Sequence, residues 1–337
     1  MERAARMKGL RLAAAALGVV LAARCGGDGP VTPTPGPPGI TCPADISING
    51  VTGGSQDVSF PAPTVTGGAQ PVSVACTRES PSTFTLGATT VTCVASDHLG
   101  RQAACSFGVT LSAAVLSVTR FLAFGDSFTE GENGRLTAFG TPFLDVPNSY
   151  PTKLAALFAA EFPDQGIVVV NRGQSGEAVE DGLTRLPGEL AAVRPDALLL
   201  LDGYNNLLDD CPFGEAIGST CRATVDYVVS KLRDMIRTAR GAGVRYVFVS
   251  TLTPPGPVVG PEPRAISLDA VAQVNDRIRP MVPAEGAVLV DPYPLFLGHE
   301  AEYVDEDGLH LRPAGYQVLA ETFFSAIKQA IPASFGR

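Results

Sequence analysis

The sequence predicts two folded units in one chain, a small N-terminal β-sandwich followed by an α/β unit with a parallel sheet. At 337 residues the chain is longer than one hydrophobic core usually organises, and 45% of its residues are hydrophobic. From Thr41 to about Leu111, short β-branched runs alternate with turn residues and show no helical period. After Val118, apolar strands alternate with longer helical segments, as in a sheet flanked by helices.

The first 25 residues have the pattern of a secretory leader, in which basic side chains precede an apolar run, 12–23, too short to cross a bilayer. These side chains are Arg3, Arg6, Lys8 and Arg11. Residues 21–27 resemble a bacterial lipoprotein cleavage site with Cys25 at the lipid-modified position, although Arg24 stands where a small residue is usual. Two alternatives remain: Cys25 carries a lipid anchor, or the protein is secreted in the ordinary way and Cys25 is removed with the leader. In either case we expect an exported protein, secreted, periplasmic or on the outer surface.

Residues 26–40 are expected to form a linker, because Pro and Gly dominate this stretch and favour extended, solvated backbone. The formal net charge of the chain is −9. No stripe of Lys and Arg is present that would neutralise a phosphate backbone. Nucleic acid is therefore excluded as a partner.

The cysteines beyond the leader are even in number, which in an exported chain indicates disulfides. They are Cys42, Cys76, Cys93, Cys105, Cys211 and Cys221. None of them forms a CxxC pair. We therefore expect no metal site and no other cofactor.

The β-rich region 41–112 resembles a hyalin repeat (HYR) module in the phrases TCPADISI, VSFPAPTVTGG, TLGATTVTCVASDHLG and ACSFGVTL. The resemblance implies an immunoglobulin-like β-sandwich that serves adhesion or spacing, with contact to a cell surface or polysaccharide and no catalytic residues. Pairing Cys76 with Cys93 would join two central strands, and pairing Cys42 with Cys105 would join the first strand to the last. Four cysteines allow three connectivities, so this pairing is a hypothesis.

Five parallel strands are predicted after Val118, each an apolar run followed by turn residues. Their bounds are 118–124, 167–171, 197–201, 244–250 and 287–290. Between the third and fourth strands, apolar residues at helical spacing predict a helix that lies on the sheet and ends near Gly241 and Gly243. These apolar residues are Val225, Val228, Val229, Leu232 and Ile236.

Four loops beyond the carboxyl ends of these strands carry polar residues, and in an open parallel sheet such loops meet at one edge. They are 125–131, 171–176, 202–206 and 307–310. Acyl transfer by a serine needs a base, a group that orients the base, and donors for the oxyanion. The loops contain all three kinds of group.

Ser127 supplies the hydroxyl, His310 the base, and Asp307, three residues before it, a carboxylate able to orient the imidazole. The oxyanion donors available are the backbone N–H groups of Ser127 and Gly176 and the side-chain amide of Asn205. Gly176 suits this role because the missing side chain lets a substrate approach the backbone.

These ordered blocks resemble the SGNH hydrolases, also called the GDSL family, over residues 118–337. The resemblance implies a flavodoxin-like three-layer sandwich with a five-stranded parallel sheet. It assigns nucleophilic attack to the serine, oxyanion binding to the glycine and asparagine, and the remainder of a triad to the Asp-x-x-His pair. Two departures from the family pattern are Asn206, where Asp is usual, and Phe128, where Leu is common.

Rivals for the base and its orienter are few, because the chain has three histidines. His98 lies beside a glycine turn of the β-module, and His299 has no carboxylate three residues before it, so both are predicted to be surface residues. Asp305 is the rival orienter, but its spacing from His310 suits a direct contact less well. Asp126 is predicted to brace the nucleophile loop by hydrogen bonds rather than to titrate.

Two further segments flank the predicted site. The stretch 251–256, TLTPPG, either forms a wall of the acyl pocket or is a plain rigid turn. A Cys211–Cys221 disulfide would fix one rim of the cleft or only staple an exposed insertion.

The function expected is that of an exported serine esterase, which hydrolyses acyl or acetyl esters of lipid or carbohydrate through a Ser-His-Asp triad and an acyl-enzyme intermediate. The alternative is a surface adhesion or carbohydrate-binding protein with a vestigial hydrolase domain. The intact set of reactive residues favours catalysis.

Overall fold

The computed structural model describes residues 34–163, 165–211, 213, 217–257, 259, 264 and 266–335. The leader predicted at 1–25, with Cys25, lies outside the described residues. In the N-terminal unit the strands are β1 (Gly39–Thr41), β2 (Ile46–Val51), β3 (Ser55–Val58), β4 (Thr64–Thr66), β5 (Ser73–Cys76), β6 (Ser82–Thr85), β7 (Gly87–Ser96) and β8 (Gln102–Val115).

The C-terminal unit alternates strands and helices. Its strands are β9 (Arg120–Gly125), β10 (Glu132–Leu136), β11 (Pro142–Leu144), β12 (Val168–Gly173), β13 (Ala197–Leu201), β14 (Tyr246–Ser250), β15 (Val288–Val290) and β16 (Ser334–Phe335). Its helices are α1 (Ser127–Glu130), α2 (Tyr150–Glu161), α3 (Val179–Val193), α4 (Tyr204–Asp210), α5 (Ser219–Gly241), α6 (Leu268–Ala284), α7 (Tyr293–Phe296), α8 (Glu300–Tyr303) and α9 (Pro313–Ala330). A 3₁₀ turn covers Val146–Asn148.

The main sheet of the C-terminal unit is parallel, with strand order β12-β9-β13-β14-β15. Helices α2 and α9 pack together, and α5 packs against both α3 and α6. This is the predicted flavodoxin-like three-layer arrangement, and the predicted strands are confirmed with ends that differ by up to two residues. The strand order reverses at β9, so the loops after β9, β12 and β13 meet at the switch point where ligands bind in such sheets.

Burial explains why the central strands could be recognised. Every residue of β13 is buried, as are the last five of β9, because helices cover both faces of the sheet. Helix α5 buries the apolar residues predicted to face the sheet, and it ends at the predicted glycine. Within the part of the chain that the structure describes, no helix is long and apolar enough to cross a membrane.

The N-terminal unit contains strands and turns but no helix over its described residues, as an immunoglobulin-like β-sandwich requires. Strand β8 pairs with β7 and β2, and β7 also pairs with β5. The pairs β1–β4 and β3–β6 complete the unit. Its core is small and centres on Phe60, whose ring meets those of Phe84 and Phe107 edge to face.

Among the described residues three disulfides are present, and they pair the cysteines as the sequence suggested. Cys42–Cys105 and Cys76–Cys93 staple the small core of the N-terminal unit, and Cys211–Cys221 joins the end of α4 to the start of α5. A unit with a small core gains most from such bonds, because they restrict the unfolded chain.

The boundaries between linker, module and α/β unit differ from the predicted ones. Residues at the end of the predicted linker are bound, because the Arg101 guanidinium donates to the carbonyls of Pro35 and Gly36. Burial alone would raise the pKa of Asp97, but hydrogen bonds from Arg101 and backbone N–H groups lower it to about 2. This carboxylate therefore holds Arg101 in place for the incoming chain.

Strand β8 continues beyond the predicted end of the module, residue 112, into the junction with the α/β unit. Its last residues pair with β16, at the opposite end of the α/β unit in sequence. The Gln165 side chain bonds both backbone groups of Leu116, and Gly53 N donates to Glu161 O at 3.1 Å. The two units therefore share a strand pairing rather than a loose connection.

Candidate active site

The turn after β9 places Ser127 at the carboxyl edge of the sheet. Gly125 has φ of +148°, and a Cβ atom there would lie 1.7 Å from the Leu201 carbonyl oxygen, so only glycine fits. Asp126 then caps the short helix α1 by accepting a hydrogen bond from Phe128 N at 3.0 Å. The predicted bracing role of Asp126 matches this contact.

Ser127, His310 and Asp307 form one chain of hydrogen bonds. His310 Nε2 lies 2.8 Å from Ser127 Oγ, and His310 Nδ1 lies 2.6 Å from Asp307 Oδ2. The imidazole is fully buried and the Ser127 residue is 3% exposed. Residues 183 positions apart in sequence thus come within hydrogen-bond distance at the carboxyl edge of the sheet.

Asp307 is held by donors on both oxygens. Its Oδ1 accepts hydrogen bonds from the N–H groups of Leu309 and His310, each at 3.0 Å, and its Oδ2 faces the imidazole. Burial alone would raise the pKa of Asp307, but the bond from the His310 ring and the two backbone bonds outweigh it and lower the pKa. This carboxylate stays ionised while it orients the imidazole.

The predicted oxyanion donors lie in loops that are joined to each other. Gly176 has φ of +78°, and a Cβ atom there would point into open space, so the backbone is accessible from that side. Asn205 Nδ2 donates one hydrogen to the carbonyl of Glu177 at 2.9 Å. The Asn205 side-chain amide carries a second N–H that does not take part in this bond.

The two departures from the family pattern have local partners. Asn206 Oδ1 accepts from Val179 N at 3.0 Å at the start of α3, while its Nδ2 donates to Glu180 at 3.0 Å. An Asp at 206 could not make the second bond, so Asn fits this helix start. The Phe128 ring stacks on Tyr204 with centroids 3.9 Å apart, which an aliphatic side chain could not do.

The stretch 251–256 supports the loop that carries the histidine. Gly256 N donates to the carbonyl of Gly308 at 2.9 Å, and Thr253 hydrogen bonds with the Tyr204 hydroxyl. The Asn275 side chain holds both backbone groups of Leu252 at 2.8 Å. These bonds hold the segment rigidly against neighbouring loops, and its role as a wall of the acyl pocket stays a prediction.

The rival residues do not reach the hydrogen-bonded chain. His299 is exposed, lies 3.4 Å from Glu302 and stacks on Tyr303, while His98 is an exposed turn residue. Asp305 is buried, but its carboxylate faces Arg135 at 3.6 Å rather than the imidazole.

An ion pair that sequence reasoning missed, with a buried carboxylate and a partly exposed guanidinium, lies at the Nε2 edge of the imidazole. Glu132 Oε1 is 3.8 Å from His310 Nε2 and 3.0 Å from Arg264 Nη1. Glu132 opens β10, which pairs with β11 in a hairpin lying over Asp307. The close approach depends on Gly134, because a Cβ atom there would lie 2.6 Å from Asp307 Oδ1. No sequence spacing links these residues to the blocks described above.

Among the described residues, a second feature that the sequence did not indicate is the lack of hydrogen-bond partners for oxygens of two buried carboxyl groups, after β9 and β13. Asp202 and one oxygen of Asp126 are buried without a hydrogen-bond donor in the described part of the chain. Burial, reinforced by neighbouring carboxylates, raises the pKa of Asp202 well above its usual value, and burial raises that of Asp126 to about 7. Glu177 beside them is paired with Arg185 through two contacts of 2.6 Å.

The sequence profile of the GDSL-like lipase/acylhydrolase family matches residues 123–318, more than half of the chain. The chain therefore belongs to this family of hydrolases. A HYR domain profile matches residues 35–111, which covers the N-terminal β-unit and begins at the bound end of the linker.

Two named relatives are esterases. An arylesterase of Vibrio mimicus is 25% identical over 214 residues, covering 63% of this chain and 89% of the relative. An acetylxylan esterase of Geobacillus stearothermophilus is 32% identical over 96 residues, covering 28% of this chain and 43% of the relative. With the family membership, these relatives identify the chain as a carboxylic ester hydrolase.

Solved structures of hydrolases resemble the chain over its α/β unit. A lipase/acylhydrolase from Enterococcus faecalis covers 64% of this chain and 97% of its own, with a TM-score of 0.46 and 20% identity. A catalytic mutant of an acetylxylan esterase from G. stearothermophilus covers 63% of this chain and 95% of its own, with a TM-score of 0.47 and 21% identity.

Proposed function

We propose that the chain hydrolyses carboxylic esters through a Ser127–His310–Asp307 triad and an acyl-enzyme intermediate. The observation that carries this proposal is the continuous hydrogen-bonded chain from Asp307 through His310 to Ser127, with distances of 2.6 and 2.8 Å. Hydroxyl, base and orienting carboxylate stand in the order that nucleophilic acyl transfer requires.

In the first half-reaction, His310 Nε2 takes the hydroxyl proton while Ser127 Oγ attacks the ester carbonyl carbon. The negative oxygen of the tetrahedral intermediate is held by the N–H groups of Ser127 and Gly176 and by the amide of Asn205. His310 then gives its proton to the departing alkoxide, leaving the acyl group on Ser127.

In the second half-reaction, water replaces the alcohol. His310 removes a proton from the water, whose oxygen attacks the acyl carbon, and the same donors hold the oxyanion. The carboxylic acid leaves as the proton returns to Ser127 Oγ. Asp307 stays ionised throughout and stabilises the imidazolium formed in each half.

The test is Ser127→Ala with a fluorophosphonate probe and an ester substrate. Removing the hydroxyl should lower kcat/KM by about 10⁴-fold or more and abolish probe labelling, without a change in Tm. His299→Ala, which changes an exposed histidine, should keep both activity and labelling. A Ser127→Ala variant that retains turnover, or a wild-type chain that is neither labelled nor active, would contradict the proposal.

Acyl or acetyl esters of lipid or carbohydrate are the proposed substrate range, in line with an acetylxylan esterase and an arylesterase among the relatives. A panel that holds the alcohol constant and lengthens the acyl chain, together with acetylated xylan, would rank these substrates. Equal rates of hydrolysis across the panel would show that neither group is selected.

We also propose export, on the basis of the leader pattern at 1–25 and of three disulfides, which are typical of oxidising compartments. Cell fractionation of the wild type and of Cys25→Ser tests both export and the lipid anchor. A lipid anchor predicts that only the wild type stays with the membrane, whereas ordinary secretion predicts the same distribution for both. A chain retained in the cytoplasm would contradict export.

A further inference from the structure

The position of Glu132 suggests that it takes part in catalysis through the imidazole. Its side chain is 2% exposed, and one oxygen, Oε1, faces both the His310 imidazole and the Arg264 guanidinium. The imidazole edge it faces carries Nε2, the atom that takes the proton from Ser127 under the proposed function. Asp307 faces the opposite nitrogen.

Contacts on both sides fix the Glu132–Arg264 pair. The backbone carbonyl of Glu132 accepts a hydrogen bond from the Tyr316 hydroxyl of α9. Backbone N–H of Arg264 donates to the carbonyl of Asp307 at 2.9 Å. The backbones of both members are therefore tied to elements that frame the histidine loop, and the 3.0 Å contact with Arg264 Nη1 holds the carboxylate beside the imidazole.

We propose that Glu132 is a positioning residue that stabilises the imidazolium of His310 from its Nε2 edge, while Arg264 limits the negative charge that the imidazole experiences. This inference rests on the proposed function of His310 as the base. When the imidazole is neutral, the carboxylate and guanidinium balance each other. Once the imidazole takes the serine proton, the carboxylate attracts the new charge at a distance of 3.8 Å.

The other charged groups near His310 differ from Glu132 in the atom that they face. Asp307 is on the Nδ1 side, and Asp126, next to Ser127 in sequence, also interacts electrostatically with the imidazole. Asp305 faces Arg135 at 3.6 Å and Arg312 at 3.9 Å. Among the described residues, Glu132 is the carboxylate within 4 Å of Nε2.

Substitution of the two partners should move the acid limb of the kcat/KM profile in opposite directions. A pair with a purely structural role would not give this result. Glu132→Gln removes negative charge and should move the acid limb of the kcat/KM profile to lower pH by about one unit, with kcat lowered about tenfold. Arg264→Gln leaves the carboxylate uncompensated and should move the acid limb to higher pH. The double variant should fall between the two.

The measurement is kcat/KM against pH for the wild type and the three variants, with Tm recorded for each. Arg135→Gln is the matched control, since this neighbouring arginine is 67% exposed and faces Asp305 instead of Glu132. It should leave the acid limb in place. Glu132→Asp, which keeps the charge, should restore part of the wild-type profile.

If Glu132→Gln and Arg264→Gln move the acid limb in the same direction or leave it unmoved, the pair only anchors the loop and the inference is overturned. Arg264 is partly exposed, so its variant reports even if Glu132→Gln fails to fold. His310→Ala distinguishes the underlying proposal: activity retained with an unchanged profile would overturn the role of His310 itself. Loss of that activity together with unmoved limbs in the pair variants would overturn only the inference.

Discussion

Two buried carboxyl groups of the α/β unit, Asp307 in the proposed triad and Asp202 after β13, differ in their hydrogen-bond partners. Asp307 receives hydrogen bonds on both oxygens, whereas neither oxygen of Asp202 meets a donor in the described part of the chain. The pKa of Asp307 is therefore lowered, and burial with nearby carboxylates raises that of Asp202. Burial favours the neutral form of both groups, and at Asp307 the hydrogen bonds outweigh it.

The largest loss of activity is expected at Asp307, whose carboxylate is held by hydrogen bonds on both oxygens. Asp307→Asn removes the charge that faces the imidazolium and offers an amide that favours the wrong tautomer, so kcat should fall by on the order of 10⁴-fold. Asp305→Asn, which changes a buried carboxylate that does not contact the imidazole, is the control and should lose far less. Steady-state kinetics checks both. Equal losses would mean that the contact with His310 is not what matters.

Because the pKa of Asp307 is lowered, its carboxylate remains charged as the pH falls through the ordinary aspartate range. Its contribution to stability is present above that range and is lost only as the pH falls through the lowered value. The acid limb of activity therefore does not report the titration of Asp307.

A smaller loss of kcat is expected at Asn205, whose side chain donates to the backbone carbonyl of Glu177. Asn205→Ala removes an oxyanion donor and the bond to the Glu177 carbonyl, and kcat should fall by about 10²- to 10³-fold. Asn206→Ala removes the hydrogen bonds to Val179 N and Glu180 at the start of α3, without touching an oxyanion donor, and should cost about 1 kcal/mol of stability with kcat within about threefold. Kinetics and thermal melts of both variants separate these roles. A loss below about threefold for Asn205→Ala would remove it from the hole.

The ion pair between Arg185 and the buried Glu177 provides a test of stability. Arg185 is the partner of Glu177, whose side chain is 1% exposed, and its guanidinium lies 4.1 Å from the Phe124 ring centroid. Arg185→Gln leaves that carboxylate buried and unpaired, so unfolding free energy should fall by about 3 kcal/mol. Arg172→Gln removes an exposed pair with Glu189 and should cost less than about 1 kcal/mol. Denaturant titration compares them, and equal costs would place the two pairs in similar surroundings.

The smallest effect, a change in thermal stability, is expected at Asp202, whose carboxyl oxygens have no hydrogen-bond partner in the described part of the chain. Because the pKa of Asp202 is raised in the folded chain, its ionisation penalises folding once the pH rises above the unfolded value, and the penalty grows up to the folded value. Asp202→Asn removes the penalty, so Tm should rise by a few degrees at pH 8, about 2–4 °C per kcal/mol, and little at pH 4. Melts across this range test the prediction. A variant less stable than the wild type at pH 8 would mean that the carboxylate has a donor.

The sequence predicted the parallel strands and the chain from Asp307 to Ser127, but not the charges around that chain. Ser127 and His310 could be found because each stands in a polar loop after an apolar strand, and topology brings such loops together. Glu132 and Arg264 had no such marker. Their contact depends on how the β10–β11 hairpin folds over Asp307. Gly134 permits this close approach, but a single glycine in the sequence does not predict it. Asp202 was treated as part of the third loop, and its missing donors appear only in three dimensions.

The continuation of β8 beyond residue 112 could not be predicted for a similar reason. A composition change near residue 112 marks where turn-rich sequence gives way to apolar strands, yet β8 runs on to Val115. Its partner there is β16, more than 200 residues later in sequence. A strand continued by so distant a partner leaves no local pattern.

The length of β8 sets the distance between the two ends of the N-terminal unit. The segment that enters the module at Pro35 and Gly36 is held at Arg101, where β8 begins, and the α/β unit starts just beyond its other end. Fourteen residues of strand separate these ends by roughly 45 Å. Ser127 lies farther along the chain, after the carboxyl end of β9. The start of the α/β unit thus lies one strand length away from the segment that enters the module.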